Sequence, residues 1–412
     1  MDKPSIEYTA KASSPIVNGD AKMSIGMDSL IVKSTFDIVE VLYARVNSIE
    51  FIDHIITIRT DDGEFIFSKM GQWGQPFYDA LCIAYNNAVL KAFFISGDPV
   101  RVAGGDYKFA EEGSVVNGKA PVRLYENCVV LLPPNSNSRR IPLCFTTGMD
   151  KGSFELTLKL DDGDSYTLSK LGYDTKLFAE GIENQIRLLR ERTLAALKEF
   201  DPSLSMTQSS QIAKIMPEGI AVPIGKLEEI APSFKKAVEE RIEKTRASES
   251  YKVFKKMCDP SKIWVGFRKI AVTPEDPAAA AKAAAAATAA GEEPEGEERS
   301  DHMCWLIAPS KDGQFVAVES SEKNTATFVY RTGGDPAGCA AKLNRSLEAI
   351  NFRREVIRLS DDELLKPEYA SYYMASKRTR SLQFIRKNFV TRIIHSSPEA
   401  WKRKLEEAFN GK

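Results

Sequence analysis

Along this chain, apolar and polar residues alternate over short stretches that end in turn residues. Each group of stretches is followed by a longer run with apolar positions three or four apart. The alternation predicts half-buried strands and the wider spacing predicts amphipathic helices. The clearest run is Ile55-Ile56-Thr57-Ile58-Arg59-Thr60-Asp61-Asp62-Gly63-Glu64-Phe65-Ile66-Phe67, leading into Ser68-Lys69-Met70-Gly71. An Asp-Gly pair between alternating apolar runs is a strong hairpin signal, because glycine tolerates the positive φ of the turn. The same order returns in Phe154-Glu155-Leu156-Thr157-Leu158-Lys159-Leu160-Asp161-Asp162-Gly163-Asp164-Ser165-Tyr166-Thr167-Leu168, followed by Ser169-Lys170-Leu171-Gly172. Ile16-Val17-Asn18-Gly19 recurs as Val115-Val116-Asn117-Gly118. Two landmarks in the same order and at nearly the same period point to an internal duplication.

The first module reads as 13–97. Its expected strands are 21–25, 29–32, 38–43 and 46–51, then the hairpin 55–67 and a helix over 77–94 with Phe77, Leu81, Tyr85, Ala88 and Ala92 on one side. Residues 1–12 are polar and read as frayed or as a short leader. The second module reads as 106–203, with strands at 121–124, 128–132 and 140–146, the hairpin 154–168 and a helix over 177–200. Gly104-Gly105 reads as part of the intermodule loop, and Pro133-Pro134-Asn135-Ser136-Asn137-Ser138 as a surface loop. Prolines 217, 223 and 232 break 204–262 into short pieces, which reads as a helical connector. A degenerate third module is expected over 263–358, with its hairpin near 315–330 and a helix over 336–352. An alanine-rich and acidic insertion at 277–299 interrupts it, a solvated loop by composition. Residues 359–412 read as a basic helical tail.

A length of 412 residues fits two to four domains at about 100–200 residues each. A hydrophobic share of 43% and a charged share of 27% are ordinary for a globular protein. The formal net charge of −1 removes any bulk attraction to nucleic acid or anionic membrane, so such attraction would have to be local. The amino terminus shows no basic segment followed by an apolar core. No apolar run approaches the roughly 18–20 residues that span a bilayer. The chain therefore reads as cytoplasmic and without a transmembrane segment.

Candidate chemistry is sparse. None of the six cysteines lies in a Cys-x-x-Cys arrangement, and they read as buried reduced thiols. The three histidines, His54 at a strand start, His302 at the end of the acidic loop and His395 near the carboxy terminus, read as surface or hairpin residues and form no metal-binding spacing with one another or with cysteine. The glycine runs at 71–74 and 333–334 lack the order of a phosphate cradle. Asp61-Asp62 and Asp161-Asp162 read as exposed turn residues. No catalytic set, metal or cofactor follows, and the reading is non-enzymatic.

The carboxy-terminal stretch carries the strongest local signal. Lys377, Arg378, Arg380, Arg386, Lys387, Arg392, Lys402, Arg403 and Lys404 fall among Tyr372, Tyr373, Phe384, Phe389 and Trp401. Basic residues interleaved with aromatics suit phosphates and bases, or an anionic membrane. Leu382, Ile385, Phe389, Ile393 and Ile394 also recur at helical spacing, which fits a helix docked on the third module with a solvated basic face.

Several short strands followed by one amphipathic helix, in a repeat built on the hairpin and the Ser-Lys-x-Gly exit, resemble the pleckstrin-homology-like (PH-like) superfold. The resemblance implies an α+β architecture of tandem, partly open β-barrels. Each barrel would be closed by a C-terminal α-helix, with a helical connector and a helical C-terminal tail. The stretch Ala21-Lys22-Met23-Ser24-Ile25-Gly26-Met27-Asp28 lacks the basic cluster of the phosphoinositide-binding members. The tandem arrangement is also similar to the paired domains of histone-chaperone-type proteins. What these resemblances imply is an intracellular protein-binding scaffold. The alternative is a nucleic-acid or anionic-membrane adaptor working through 377–404.

Overall fold

The computed structural model describes residues 7–111, 113–269, 302–320, 326–350 and 355–411. The insertion at 277–299 and the side chain of His302 lie outside the described residues. The chain is α+β and forms two compact units, residues 1–189 with 341–387, and residues 190–340 with 388–412.

Unit 1 holds the duplication. Strands β1 (Glu7–Ser13), β2 (Asn18–Ile25), β3 (Ser29–Lys33), β4 (Ile38–Leu42), β5 (Val46–Ile52), β6 (Ile55–Thr60) and β7 (Gly63–Ser68) form one antiparallel sheet, followed by helix α1 (Gly74–Ala92). Its order is β4-β3-β2-β1-β7-β6-β5. The second sheet comprises β8 (Arg101–Glu111), β9 (Ser114–Leu124), β10 (Cys128–Leu131), β11 (Arg139–Pro142), β12 (Thr146–Lys151), β13 (Glu155–Leu160) and β14 (Ser165–Ser169), followed by α2 (Asp174–Phe200). Its order, β11-β10-β9-β8-β14-β13-β12, is the first one moved on by seven strands. Both copies place a short 3-10 turn between their fourth and fifth strands, Tyr43–Arg45 and Leu143–Phe145. Both break register just after it, at Val46/Ser48 and at Thr146/Gly148.

Ser-Lys-x-Gly has a conformational cause. Lys69 and Lys170 sit at φ 59° and 57°, and Gly71 and Gly172 at φ 57° and 63°. Two left-handed residues flank one ordinary residue, and that residue, Met70 or Leu171, is turned into the core. The first core joins Ile56, Ile58, Phe65 and Phe67 to the α1 stripe of Phe77, Leu81, Tyr85, Ala88, Val89 and Ala92. The second joins Leu156, Leu158, Tyr166 and Leu168 to Phe178, Ile182 and Leu189. Each fully buried large side chain contributes about 1.5–3 kcal/mol over its exposed state.

Four local expectations are corrected. Residues from Glu7 are not a frayed leader, because Tyr8, Ala10 and Ala12 alternate into the core and β1 is the central strand of its sheet. Gly104-Gly105 lies within β8 and not in a linker. A Cβ on Gly105 would overlap the Ser169 carbonyl oxygen and the Leu171 side chain, so the seam with β14 requires glycine there. The segment 133–138 is not a free surface loop. It lies along β5, with Ile49 N–H donating to Pro134 O at 2.8 Å and Ser136 N–H to Asn47 O at 2.9 Å, and its Ser138 is fully buried. His54 does not start a strand. With Asp53 it forms a two-residue turn in which both φ are positive, 51° and 62°, as the twist of a tight hairpin favours.

Unit 2 is built differently. Strands β15 (Val222–Pro223), β16 (Trp264–Lys269), β17 (His302–Pro309), β18 (Phe315–Ser320), β19 (Ala326–Arg331) and β20 (Phe389–Ile394) lie in simple sequential order. Among the described residues, the seven-strand order of unit 1 is not repeated here. Helices α3 (Met206–Ile215), α4 (Ile224–Ile230), α5 (Pro232–Glu243) and α6 (Ser248–Met257) share the core of this sheet through Ile212, Leu227, Phe234, Val238, Tyr251 and Phe254. The expected tail is not helical throughout. Residues 389–394 form an edge strand paired with β19, since Phe-Val-Thr-Arg-Ile-Ile is rich in β-branched residues. After β20 the chain ends in helix α12 (Pro398–Phe409).

Candidate functional site

The later part of unit 1 supplies α7 (Pro336–Ala349, in unit 1 from Ala341), α8 (Glu355–Arg358), α9 (Asp361–Leu364), α10 (Ala370–Arg378) and α11 (Arg380–Asn388, in unit 1 up to Lys387). These helices meet the two Asp-Asp-Gly turns at equivalent places. In the first module, Asp61 accepts from Tyr373 Oη at 2.8 Å, from Lys377 Nζ at 2.5 Å and from Asn47 Nδ2 at 3.1 Å. Asp62 accepts both ways from Arg45, at 2.8 and 2.7 Å. In the second module, Arg345 reaches Asp161, and Asp162 at 3.1 Å, with its guanidinium 4.5 Å from the centre of the Phe145 ring. The turns are therefore contact points, where the sequence suggested exposed carboxylates.

Their electrostatics differ. Burial alone would raise the Asp61 carboxyl, but hydrogen bonds from Lys377, Asn47 and Tyr373 hold it below the ordinary carboxylate value. Burial raises Asp161, Arg345 works against that, and the neighbouring Asp162 adds to it. Two further clusters tie helices to the second module. Arg140 donates to Glu348 Oε1 at 2.8 Å and to the Glu348 carbonyl at 2.7 Å, with both side chains 7% exposed. Buried Glu111 accepts from Tyr166 Oη at 2.6 Å and Arg139 Nε at 2.9 Å, and forms an ion pair with Arg380 Nε at 3.1 Å. Burial, and then Glu111, push the Tyr166 hydroxyl well above its usual value.

The basic residues singled out in the sequence fall into two groups. Lys377 and Arg380 hold Asp61 and Glu111 as described. Arg378 is 3% exposed and donates to Tyr85 Oη at 2.7 Å, while its Nε has no partner. Tyr85 in turn donates to Asn135 O at 2.8 Å, so one contact line joins α10, α1 and the segment lying on β5. Arg386 donates to the carbonyls of Val356 and Leu359 and to Asp361, closing the end of α8. The second group faces solvent: Lys387, Arg392 on β20, and Lys402 and Arg403 on α12. Lys402 and Arg403 lie 3.8 Å from Glu406 and Glu407 one turn on. Charge is visible in a sequence, but partners some 300 positions away are not.

The outward sides of the two sheets offer a sharper contrast. Ile31 opposes Glu40 across β3 and β4, as Val130 opposes Arg140 across β10 and β11. Val130 is fully buried, in one core cluster with Cys128 and Leu132, with Met374 of α10, and with Tyr43, Val46 and Tyr85 of the first module. Ile31 is 42% exposed, Ile38 64% and Phe36, in the β3–β4 turn, 92%. No local motif in the sequence singles out this patch. The signal was present only as Ile31, Phe36 and Ile38 out of step with the core-facing Leu30, Val32 and Val41.

In unit 2, His395 is no simple surface residue. Its Nε2 lies 2.9 Å from Oε2 of fully buried Glu319, which also accepts from Thr327 Oγ1 at 2.5 Å. Trp401 Nε1 donates to Thr327 Oγ1 at 2.7 Å, and its ring stacks on His395. The same imidazole nitrogen faces both oxygens, so His395 does not sit between a hydroxyl and an acid as a proton relay requires. Cys128, Cys258, Cys304 and Cys339 are buried and not joined in disulfides. Burial pushes Cys82 up to about 11 and Cys258 up to about 12. Among the described residues, no group of three or more His, Cys, Asp or Glu side chains could hold a metal ion, and no helix is long and apolar enough to cross a membrane.

No protein-family model matches the chain, and no curated protein matches it either.

Proposed function

We propose that this protein is a non-enzymatic protein-binding scaffold whose tandem modules are PH-like barrels. The observation that carries the reading is the repeated use of one surface. In each module, the acidic turn beside the 3-10 turn holds a helix from residues 341–387 through a basic side chain, Lys377 on Asp61 and Arg345 on Asp161. A module that grips a helix at the same place twice within its own chain is suited to gripping helices of other proteins on its remaining faces. The seven-strand order followed by a helix, present twice, supports the PH-like assignment. Fold alone does not dictate activity, so the reading rests on the docking geometry.

The test is affinity purification of the tagged full-length protein from native lysate, with and without nuclease, washed at low and high salt. Defined proteins retained through both treatments are the expected result. Recovery of nucleic acid, or of vesicles, with steep loss in salt would overturn the reading in favour of the exposed cations Lys387, Arg392, Lys402 and Arg403.

A further inference from the structure

We infer that the outward side of β3 and β4 in the first module docks an amphipathic helix of a partner protein, with a basic residue of that helix pairing with Glu40. The inference rests on the scaffold reading and names where, and by what chemistry, one partner is held. The duplication supplies a reference in which the same place is filled. In the second module, the pair Val130 and Arg140 is covered, and the group that reads Arg140 is a helix residue, Glu348, through both its carboxylate and its carbonyl. In the first module the matching pair is Ile31 and Glu40, so the charge at that position is reversed. A helix seated there in the same manner needs Lys or Arg where α7 carries Glu.

The surroundings agree. Ile38 stands diagonally across from Ile31, opposite Lys33, and Phe36 extends from the adjoining turn. These side chains make an apolar strip with Glu40 at one end and Lys33 beside it. Strand β4 is the last strand of its sheet. An edge strand that displays apolar side chains is a template for association unless something covers it. Lys22 is paired with Glu7 on the same outward side at 3.3 Å, which leaves the acidic end to Glu40. Glu40 accepts from Ser29 Oγ at 2.6 Å, which orients the carboxylate without neutralising it. A two-fold contact between copies centred on β4 would bring two Glu40 carboxylates together, and like charges directly opposed are destabilising.

The probe is a displayed library of amphipathic helices of about eighteen residues, with each polar position varied among Lys, Glu and Ala. It is selected on the full-length protein beside a matched library of extended peptides. Ile31→Thr/Ile38→Thr serves as the counter-target, since threonine keeps the β-branched strand preference and sets no charge opposite Glu40. Both side chains are exposed, so its thermal transition should match that of the wild type. Enriched helices are expected to require Ile31 and Ile38, to carry Lys at one fixed position, and to lose about tenfold in affinity on Glu40→Lys. Recovery of that loss by a Lys→Glu helix would complete the charge swap. The inference is overturned if helices bind the counter-target equally or show no basic preference. It is equally overturned if extended peptides enrich instead, if sedimentation shows self-association lost in the double variant, or if no helix enriches. None of these outcomes bears on whether native partners survive nuclease and salt, so the scaffold reading is judged separately.

Discussion

The two modules of unit 1 agree strand for strand, yet they treat equivalent surfaces in opposite ways. On the second module, Val130 and Arg140 are covered and Glu348 answers the arginine; on the first, Ile31 and Glu40 face solvent. At the acidic turns the roles reverse. Asp61 is held by three donors and its carboxyl is lowered, whereas Asp161 is raised by burial even with Arg345 beside it. Duplication preserved the backbone and left the outward residues free to diverge, so similarity of fold within one chain does not carry similarity of surface with it.

The largest effect should come from breaking the covered pair. Glu348→Ala leaves Arg140 buried without its carboxylate and should cost about 3–5 kcal/mol in denaturant unfolding of unit 1. Glu40→Ala at the matching position should cost under about 0.5 kcal/mol. Equal effects would mean that the two faces are not the distinct environments described. Next comes Gly105→Ala, which must displace the Ser169 carbonyl and should lose about 1–3 kcal/mol. The strand registers make Ala10 its counterpart in the first module, where a methyl is already accommodated. A smaller gain is expected from the shared exit. Lys69→Gly and Lys170→Gly each remove a side chain from a left-handed position and should raise stability by about 1 kcal/mol. Gain at one site alone would show that the two exits differ.

The smallest effect separates the turns by pH. A lowered Asp61 contributes stability that is present above the unfolded carboxyl value of about 4 and is lost as pH falls through its folded value. A raised Asp161 carries a cost at neutral pH that acid relieves. In stability measured from pH 7 down to about 3, Asp61→Asn should therefore lose less than wild type and Asp161→Asn more, each by under about 1 kcal/mol.

Much of the repeat was legible in advance because its cues are local. The Asp-Gly turns, the left-handed Lys and Gly of the exit, and the Phe77 and Phe178 stripes each depend on neighbours a few residues away. Strands β1 and β8 carry little local signal, because Ala10, Ala12, Gly104 and Gly105 are poor strand formers placed by the strands around them. The edge strand at 389–394 is masked by a helical spacing, because Phe389 and Ile393 fit both periods. The basic residues of the tail were visible, but burial of Arg378 under Tyr85 and the grip of Arg380 on Glu111 depend on pairings far apart in sequence. No local pattern encodes them.

That separation has a consequence for the order in which the protein is made. Tyr85 and Arg378 are 293 positions apart. At about 5–20 residues per second on the ribosome, the arginine emerges roughly 15–60 seconds after the tyrosine it meets. Through that interval the nascent first module lacks α10, and for its early part β5 also lacks the 133–136 segment that later lies along it. The amino-terminal half must wait, partly uncovered, for the carboxy-terminal helix that closes over it.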